Sequence, residues 1–371
     1  MIADTREALV VCVEAAIPVI LWGPPGVGKS SIVSAVATEL GLHLETVIAS
    51  IREPSDFAGL PFRVGSSVAF APPRWAQAVV EHGGGIVFYD EISTAPPAVQ
   101  AALLRPILDG VVGDLELPKA TRTVAAANPP DASAGGWELS LPLANRFCHL
   151  VWDASPHEVA RGLALGWEPE MSYESGNDMT AKLGDRGVAD IRASLGAVGA
   201  FLHTRPDLVV AVPTSYTHEG GFPTPRSWEM AGRLLAVARL RNCSPAVMRK
   251  LIVGCVGAGA ATELLYYLER LDVPAPEVIL ADPDGWEIPS QRGDLVYAVV
   301  SSTMSLATSE GTRESWEAAG VLLARVAEAG FVDVAYDASR TWIRERPDGA
   351  LPATRTLLAL QPLLTGTRPK A

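Results

Sequence analysis

The hydrophobic residues of this chain follow two different patterns on either side of about residue 150. Before that point, short apolar runs occupy residues 18–22, 86–89 and 123–127, and each is followed directly by glycine or a polar residue. Short apolar runs of this length are typical of strands buried in a sheet. After that point, Leu, Val and Ala recur at helical spacing. The pattern therefore predicts an α/β region followed by a helical region.

Capping residues and turn residues locate further elements. Thr224 and Pro225 are the residue types of an N-cap and of a first helical position, and they predict a helix over residues 225–242. Apolar spacing predicts other helices over residues 189–203, 245–269, 294–307 and 311–329. Alternating Phe and Val residues predict a β-hairpin over residues 60–70, and a second hairpin is predicted over residues 109–117.

The strand at residues 18–22 leads into a glycine-rich loop and then a helix with apolar residues on one face. The loop reads G-x-x-x-x-G-K-S, and its nine predicted nucleotide-binding residues are Gly23, Pro24, Pro25, Gly26, Val27, Gly28, Lys29, Ser30 and Ser31. Glycines allow backbone N–H groups to turn towards phosphate oxygens. The order strand, loop and helix is the context that this motif requires for phosphate binding. We expect Lys29 to reach the β- and γ-phosphates and Ser30 to ligate Mg²⁺.

A second apolar strand ends in two adjacent carboxylates, Asp90 and Glu91. An acidic residue on a strand beside the phosphate loop can hold Mg²⁺, so Asp90 is a predicted metal and cofactor ligand. Glu91 is the predicted general base. The alternative is that the acidic pair caps the next helix, but residues 93–97 already supply a cap and a first-turn proline.

Composition restricts the function classes. The chain has 371 residues, of which 48% are hydrophobic and 19% charged, and its formal net charge is −12. This acidic balance argues against a protein whose main task is to coat nucleic acid. The sequence contains no stretch of about 18 uncharged apolar residues, so it predicts no membrane span. The four cysteines form no Cys-x-x-Cys pair, and they fit reduced thiols in a cytoplasmic protein.

Five motifs together resemble the AAA+ ATPases, and within them the MoxR-like branch, which carries an insert in helix 2. The motifs lie at residues 23–30, 90–100, 126–129, 143–147 and 224–228, in the order typical of the family. The resemblance implies a parallel five-stranded sheet of order 5-1-4-3-2, sandwiched by helices. Ser155, Pro156 and Glu158 have the pattern of a capping box, which predicts that a helical lid begins here. We therefore expect a core over residues 1–154 that contains both hairpins, a helical lid over 155–271 and a helical extension over 272–371.

The resemblance also implies roles for three further site residues. Asn128 would act as sensor 1 and orient the attacking water, and the alternative is a turn before Pro129. Arg146 would be the arginine finger that enters the neighbouring subunit, and the alternative is a structural arginine. Arg226 would be sensor 2 and would contact the γ-phosphate, and the alternative is a surface arginine.

The function that these expectations favour is ATP hydrolysis with Mg²⁺ in a homo-oligomeric, hexameric ring that remodels a protein client. The resemblance implies a von Willebrand A-domain partner. The two hairpins would point into the pore of the ring, with Phe62 and Arg63 as client contacts, or would be ordinary surface hairpins. An ATP-gated scaffold with slow turnover is the main alternative, and a small-molecule kinase is disfavoured because no acceptor site is visible. His149, in a predicted buried strand, is expected to be a core or interface residue.

Overall fold

The computed structural model describes residues 2–129, 137–153, 184–214 and 220–365. Contacts divide the chain into two compact units, Met1–Met179 with Val210–Thr262, and Thr180–Val209 with Glu263–Ala371. The predicted domain limits differ from this division, and the boundary expected at residue 155 lies outside the described residues. The three predicted domains therefore stay a prediction.

The described elements alternate between strands and helices up to residue 151 and are helical afterwards. The strands are β1 (Val19–Trp22), β2 (Leu44–Ile48), β3 (Leu60–Val64), β4 (Ser67–Ala71), β5 (Gly85–Asp90), β6 (Val111–Val112), β7 (Leu115–Glu116), β8 (Thr121–Ala127) and β9 (Cys148–Val151). The earlier helices are α1 (Ile2–Glu14), α2 (Lys29–Glu39), α3 (Ser55–Ala58), α4 (Arg74–Glu81), α5 (Pro97–Asp109) and α6 (Leu141–Ala144). The later helices are α7 (Gly184–Thr204), α8 (Pro225–Leu240), α9 (Pro245–Val256), α10 (Ala258–Arg270), α11 (Pro276–Ala281), α12 (Gly293–Glu310), α13 (Arg313–Glu328), α14 (Val332–Arg344) and α15 (Thr354–Thr365).

Five strands form one parallel sheet in the order β2-β5-β8-β1-β9. Numbered among themselves along the chain, these strands read 5-1-4-3-2 from the β9 edge, which confirms the predicted order. The side chains of β1 and β5 are buried apart from the half-buried Asp90 at the end of β5. Parallel strands covered by helices on both faces require this continuous apolar character.

Parallel pairing determines which residues share an edge of the sheet. β1, β5 and β8 end at Trp22, Asp90 and Ala127, so the residues that follow them lie at the carboxyl edge. β9 begins at Cys148, and the residues that precede it therefore lie at the amino edge. The sheet thus separates the phosphate loop from the segment that carries Arg146.

Both hairpins form where the sequence predicts them. β3 pairs with β4, and β6 pairs with β7, each in antiparallel register. The two hairpins are joined, because the Phe70 backbone N–H donates to Asp114 Oδ2 at 2.7 Å and the Asp114 N–H donates to the Phe70 carbonyl at 3.2 Å. The first hairpin is unusually apolar for its exposure: Leu60 is 62% exposed, Phe62 48% and Val68 63%.

The helices of the first unit correct one expectation. The predicted helix over residues 245–269 is wrong, since the chain breaks at Gly257 into α9 and α10. Gly257 has a φ of +81°, and a Cβ there would lie 2.8 Å from the Gly221 carbonyl oxygen, so the close approach of two backbone segments requires the break. The predicted cap of α8 is confirmed, since Thr224 Oγ1 accepts from the Ser227 N–H at 3.1 Å.

The described part of the second unit is all helical. α7 and α12 approach closely at small residues, since a Cβ on Gly196 would lie 2.6 Å from Ser301 Cβ. α13 and α14 are held by stacked Trp316 and Trp342 rings whose centroids lie 4.3 Å apart. Each indole N–H of this pair donates to the other residue's carbonyl oxygen, at 2.7 Å and 2.8 Å.

Two further observations concern the whole described chain. Among its described helices, none is both long and apolar enough to cross a membrane. Cys12, Cys148, Cys243 and Cys255 are free and buried.

The packing of α9 on β9 generates a stability prediction. A Cβ on Gly254 would lie 2.5 Å from the His149 carbonyl oxygen, whereas a Cβ on Gly259 would meet no atom within 4 Å. Gly254→Ala should lower the free energy of unfolding by about 1–3 kcal/mol through overpacking. Gly259→Ala, the matched control, should leave it unchanged or raise it by up to about 1 kcal/mol. Urea unfolding of both variants measures the difference, and equal shifts would contradict the packing described.

Candidate functional site

The phosphate-binding loop has the backbone conformation that its glycines permit. Gly26 and Gly28 have φ values of +81° and +90°, in the left-handed region that favours glycine. Gly23 is required for a different reason, because a Cβ there would lie 2.3 Å from the Trp152 carbonyl oxygen. Pro24, Pro25 and Ser31 are exposed, and Val27 is half-buried. The loop therefore presents an exposed face directly before α2.

Trp152 fixes the loop against the end of β9. Its backbone N–H donates to the Trp22 carbonyl at 2.7 Å, and its indole Nε1–H donates to the Val27 carbonyl at 3.0 Å. The sequence analysis did not select Trp152 as a site residue. Trp152 directly follows β9, which pairs with the strand that enters the loop, and this position is the signal that the sequence offers.

Lys29 is buried, with 8% of its surface exposed. Its Nζ donates to the carbonyl oxygens of Gly23 at 2.6 Å and Pro24 at 2.9 Å, and to Asn128 Oδ1 at 2.8 Å. Burial lowers the pKa of Lys29, and the charges of Asp90 and Glu91 oppose this shift. The ammonium thus has three oxygen partners, which matches its three N–H donors.

The predicted metal ligands lie in contact. Ser30 Oγ donates to Asp90 Oδ2 at 2.9 Å, so a hydroxyl from the start of α2 meets a carboxylate from the end of β5. Oxygen ligands of this kind suit Mg²⁺, which is commonly held by one or two protein groups together with substrate phosphates. The oxygen atoms of Ser30 and Asp90 therefore fit a magnesium ion, which they would hold.

Glu91 follows Asp90 in a left-handed conformation, with a φ of +57°. This conformation is uncommon for a residue with a side chain, and it turns the chain sharply after β5. The Glu91 N–H donates to Asp90 Oδ1 at 2.9 Å, and Glu91 Oε2 accepts from the hydroxyl of Ser50. Glu91 is thereby exposed at the carboxyl edge beside the metal ligands.

Ser50 is a site residue that the sequence analysis missed. It lies in the 3₁₀ turn Ala49–Ile51, directly after β2, and β2 pairs with β5. Because neighbouring parallel strands end at the same edge, a hydroxyl one or two residues beyond β2 comes within reach of a carboxylate beyond β5. The adjacency of the two strands, rather than any local motif, was the signal for this contact.

Asn128 stands at the end of β8, where the sequence predicts sensor 1. Ser93 holds its backbone: the Asn128 N–H donates to Ser93 Oγ at 3.1 Å, and Ser93 Oγ lies 3.3 Å from the Asn128 carbonyl. Ser93 was expected to help cap the following helix, but Pro96 occupies the N-cap of α5 and no side chain caps it. The Ser93 hydroxyl is already engaged with Asn128, which explains the difference.

Arg146 and Arg226 lie near one another rather than at separate places. Burial lowers the pKa of Arg146, and the Arg226 charge lowers it further. Arg146 donates from Nη1 to the Pro142 carbonyl. The start of α8 is tied to the same segment, because Thr224 Oγ1 donates to Asn145 Oδ1 at 2.9 Å. Arg226 is therefore close enough for its charge to act on Arg146.

His149 is buried in β9, as expected, and both of its ring nitrogens have partners. Trp22 Nε1–H donates to His149 Nδ1 at 2.9 Å, and His149 Nε2 lies 2.9 Å from the Ala144 carbonyl oxygen. Burial lowers the pKa of His149 to about 4, although the Ala144 carbonyl opposes the shift. The ring is therefore neutral at physiological pH.

Comparison with known proteins bears on this part of the chain. Residues 18–147 match the model of the AAA domain of the dynein-related subfamily. This stretch of the chain resembles an AAA domain. The match covers all the described site residues of the core, from the phosphate loop to Arg146, and stops before Trp152 and Arg226.

Individual relatives resemble the chain only in part. Over 122 residues it is 35% identical to the human "ATPase family gene 2 protein homolog B", a match that covers 31% of this chain and 15% of that protein. The chain therefore spans only a small part of that relative's length. Among solved structures, a Cytophaga hutchinsonii protein described as a candidate ATPase matches at 15% identity with a TM-score of 0.47, covering 73% of this chain and 93% of that one. A full-length MCM homologue from Methanopyrus kandleri matches at 20% identity with a TM-score of 0.40, covering 71% and 55%.

The neutral His149 makes the stability of the first unit depend on pH. Its pKa is about 4 in the folded protein against 6.5 as the ordinary value, so between these pH values the unfolded chain binds more protons. Stability should therefore fall as the pH falls through this window. From about pH 7.5 to about pH 5 the contribution of His149 should drop by about 2 kcal/mol.

The matched control is His149→Phe, which cannot titrate. Urea unfolding of both proteins across this pH range measures the difference in their free energies of unfolding. The wild type should lose more stability than the variant on acidification. Parallel curves for the two proteins would show that His149 is not buried as a neutral ring.

Proposed function

We propose that the AAA domain binds ATP and hydrolyses it. The observation that carries this proposal is the convergence of Lys29, Ser30, Asp90, Glu91 and Asn128 at one edge of the sheet, with Ser30 Oγ 2.9 Å from Asp90 and Lys29 Nζ 2.8 Å from Asn128. Separate motifs supply these residues from β1, β5 and β8. A loop of backbone N–H groups, a buried cation, a metal-binding pair and a carboxylate base are the parts that phosphoryl transfer to water requires.

Each residue has one role in this proposal. Lys29 exchanges a carbonyl partner for the phosphate oxygens. Ser30 and Asp90 hold Mg²⁺, which when bound neutralises charge on the β- and γ-phosphates. Glu91 accepts a proton from the attacking water, and Asn128 orients that water. The Ser50 hydroxyl, which donates to Glu91, determines where the base points.

Arg146 is placed for a second copy of the chain. It precedes β9 at the amino edge, whereas its own phosphate loop follows β1 at the carboxyl edge. A four-residue strand separates the two edges by about 10 Å, at roughly 3.3 Å per residue. Arg146 therefore completes the site of a neighbouring subunit, and the assembly is a homo-oligomeric ring, for which we propose six subunits.

Arg226 supports a modified assignment. The resemblance implies that it contacts the γ-phosphate of its own subunit as sensor 2. Its charge, however, acts on Arg146, and Thr224 bonds to Asn145 beside it. We therefore assign Arg226 to the same neighbouring site as Arg146, where two guanidinium groups together neutralise transition-state charge.

The ring acts on a protein client in this proposal. The joined hairpins support it, because Leu60, Phe62 and Val68 are exposed apolar side chains on a segment braced by Asp114. Exposed apolar patches of this kind mark interaction sites. The MoxR-like branch and its von Willebrand A-domain partner belong to the proposal through the resemblance of the motifs.

Removal of the base tests hydrolysis directly. Glu91→Gln should keep ATP binding and lower kcat by about 10²–10⁴-fold, the usual effect of a lost general base. The matched control is Glu81→Gln, since Glu81 is exposed at the end of α4. Turnover and binding of a fluorescent ATP analogue separate the two effects. If the wild type turned over ATP no faster than Glu91→Gln, the proposed hydrolysis would be contradicted. The ATP-gated scaffold would then be the favoured function.

Mixed rings test whether Arg146 acts between subunits. Arg146→Ala alone should lose at least about 100-fold in turnover, since such fingers contribute about 10³–10⁵-fold elsewhere. Glu91→Gln subunits retain Arg146, so mixing the two inactive proteins should restore turnover at sites where they adjoin. Arg233→Ala, on the exposed face of α8, is the matched control and should stay active. A mixture as inactive as its components would contradict action between subunits.

A further inference from the structure

A chain of polar contacts crosses the apolar interior of the first unit from one edge of the sheet to the other. It begins at Gly23, whose carbonyl accepts from Lys29 Nζ at 2.6 Å. Trp22, the preceding residue in the sequence, makes the next contact. From there the Trp22 indole donates to His149, and His149 contacts the Ala144 carbonyl. Ala144 ends α6, two residues before Arg146. The contacts therefore join the subunit's own phosphate loop to the arginine that it presents to its neighbour.

The hydrogen-bond directions in this chain are fixed by chemistry. An indole N–H can only donate, so His149 Nδ1 accepts from Trp22 and carries no proton. The proton of the neutral ring is therefore on Nε2, which donates to the Ala144 carbonyl. Both ring nitrogens are used, and the Trp22 and His149 rings lie nearly parallel, with an interplanar angle of 11°. A single orientation of His149 satisfies both contacts.

The Ala144 carbonyl is a point at which the Arg146 segment can be positioned. It accepts from His149 Nε2 and also from the Phe147 N–H, at 3.2 Å. The Arg146 N–H donates to the Leu143 carbonyl at 3.1 Å, so the backbone of Arg146 is part of the same turn. α6 has only four residues and no side-chain cap. Such a short helix depends on outside contacts for its position.

A purely structural role explains less of this geometry. Buried polar pairs can often be replaced by apolar side chains at little cost in stability, so stability alone does not require a histidine here. The hydrogen bonds of Trp22 and His149 instead define the distance and angle between the groups that they join, which apolar packing does not do.

We infer that His149 is a positioning residue: it sets Arg146 in register with the phosphate loop of its own subunit, through Trp22 on one side and Ala144 on the other. A change at the loop that moves Trp22 is thereby passed to the arginine in the neighbouring site. This inference rests on the proposed function, since it presumes that Arg146 acts between subunits. It predicts that the loss of His149 is felt in the neighbouring subunit's site.

Mixed rings allow His149 to be substituted in only one of the two kinds of subunit at a time. The reference mixture contains Glu91→Gln subunits, which donate Arg146, and Arg146→Ala subunits, which accept it. His149→Phe is then added to the donor or, in a separate mixture, to the acceptor. Trp22→Phe/His149→Phe is tested in the same way, because it removes both partners and leaves no buried indole N–H unpaired. Urea unfolding checks the fold of every protein.

The two placements should differ. In the donor, either variant should lower turnover of the mixture by about tenfold or more, since small misplacements of a catalytic group cost factors of this size or larger. In the acceptor, the loss should stay below about threefold. If turnover did not fall with the change in the donor, or fell equally with both placements, the inference would be overturned. An active reference mixture would still support the proposed function. If His149→Phe fails to fold, the double variant alone decides. An inactive reference mixture would overturn the proposed function and this inference together.

Discussion

The site depends on how the protein accommodates one buried ammonium group. Lys29 is removed from water at the start of α2, and burial alone would favour its neutral form. The structure compensates with three oxygens from two separate strand ends and with the nearby carboxylates of Asp90 and Glu91. These contacts tie the phosphate loop to β8 and β5. A ligand that binds at Lys29 must replace at least one of its hydrogen bonds, so binding is coupled to how the loop is held against the end of β8.

The parallel sheet makes this coupling useful. It collects the ends of β1, β5 and β8 at one edge and leaves the turn before β9 at the other. Lys29 and Arg146 are therefore kept apart within one chain, although both act on a triphosphate in the proposed function. In the proposed function, Lys29, Arg146 and Arg226 surround an anionic triphosphate, so the formal net charge of −12 says little about the site. In the proposed function, each copy therefore contributes residues to two sites, one on either side of its sheet.

The local motifs of the sequence predicted the carboxyl edge well. The left-handed glycines of the loop and the contact between Ser30 and Asp90 follow from short apolar runs and the residues after them. The strand order came instead from the resemblance to a known family. Contacts between segments that lie far apart in the sequence could not be predicted from local motifs. Ser50 reaches Glu91 only because β2 pairs with β5, and no local spacing reveals that contact.

The same limit applies to the helices and to the arginines. The break at Gly257 is imposed by the backbone at Gly221, and apolar spacing runs through it unchanged. Likewise, the proximity of Arg226 to Arg146 depends on how α8 docks on the turn before β9, through Thr224 and Asn145. The double hydrogen bond of His149 needs Trp22 from a neighbouring strand, so the sequence identified the residue as buried but not its partners.

The central claim is that one site is built from two copies of the chain. A structure of the Glu91→Gln assembly with ATP and Mg²⁺ measures this most directly, through the distances from the γ-phosphate to the guanidinium groups around it. The account predicts Lys29 of one subunit and Arg146 and Arg226 of the adjacent subunit within hydrogen-bond distance of the same γ-phosphate. It would be contradicted if the γ-phosphate were held by Arg146 or Arg226 of the chain that supplies Lys29.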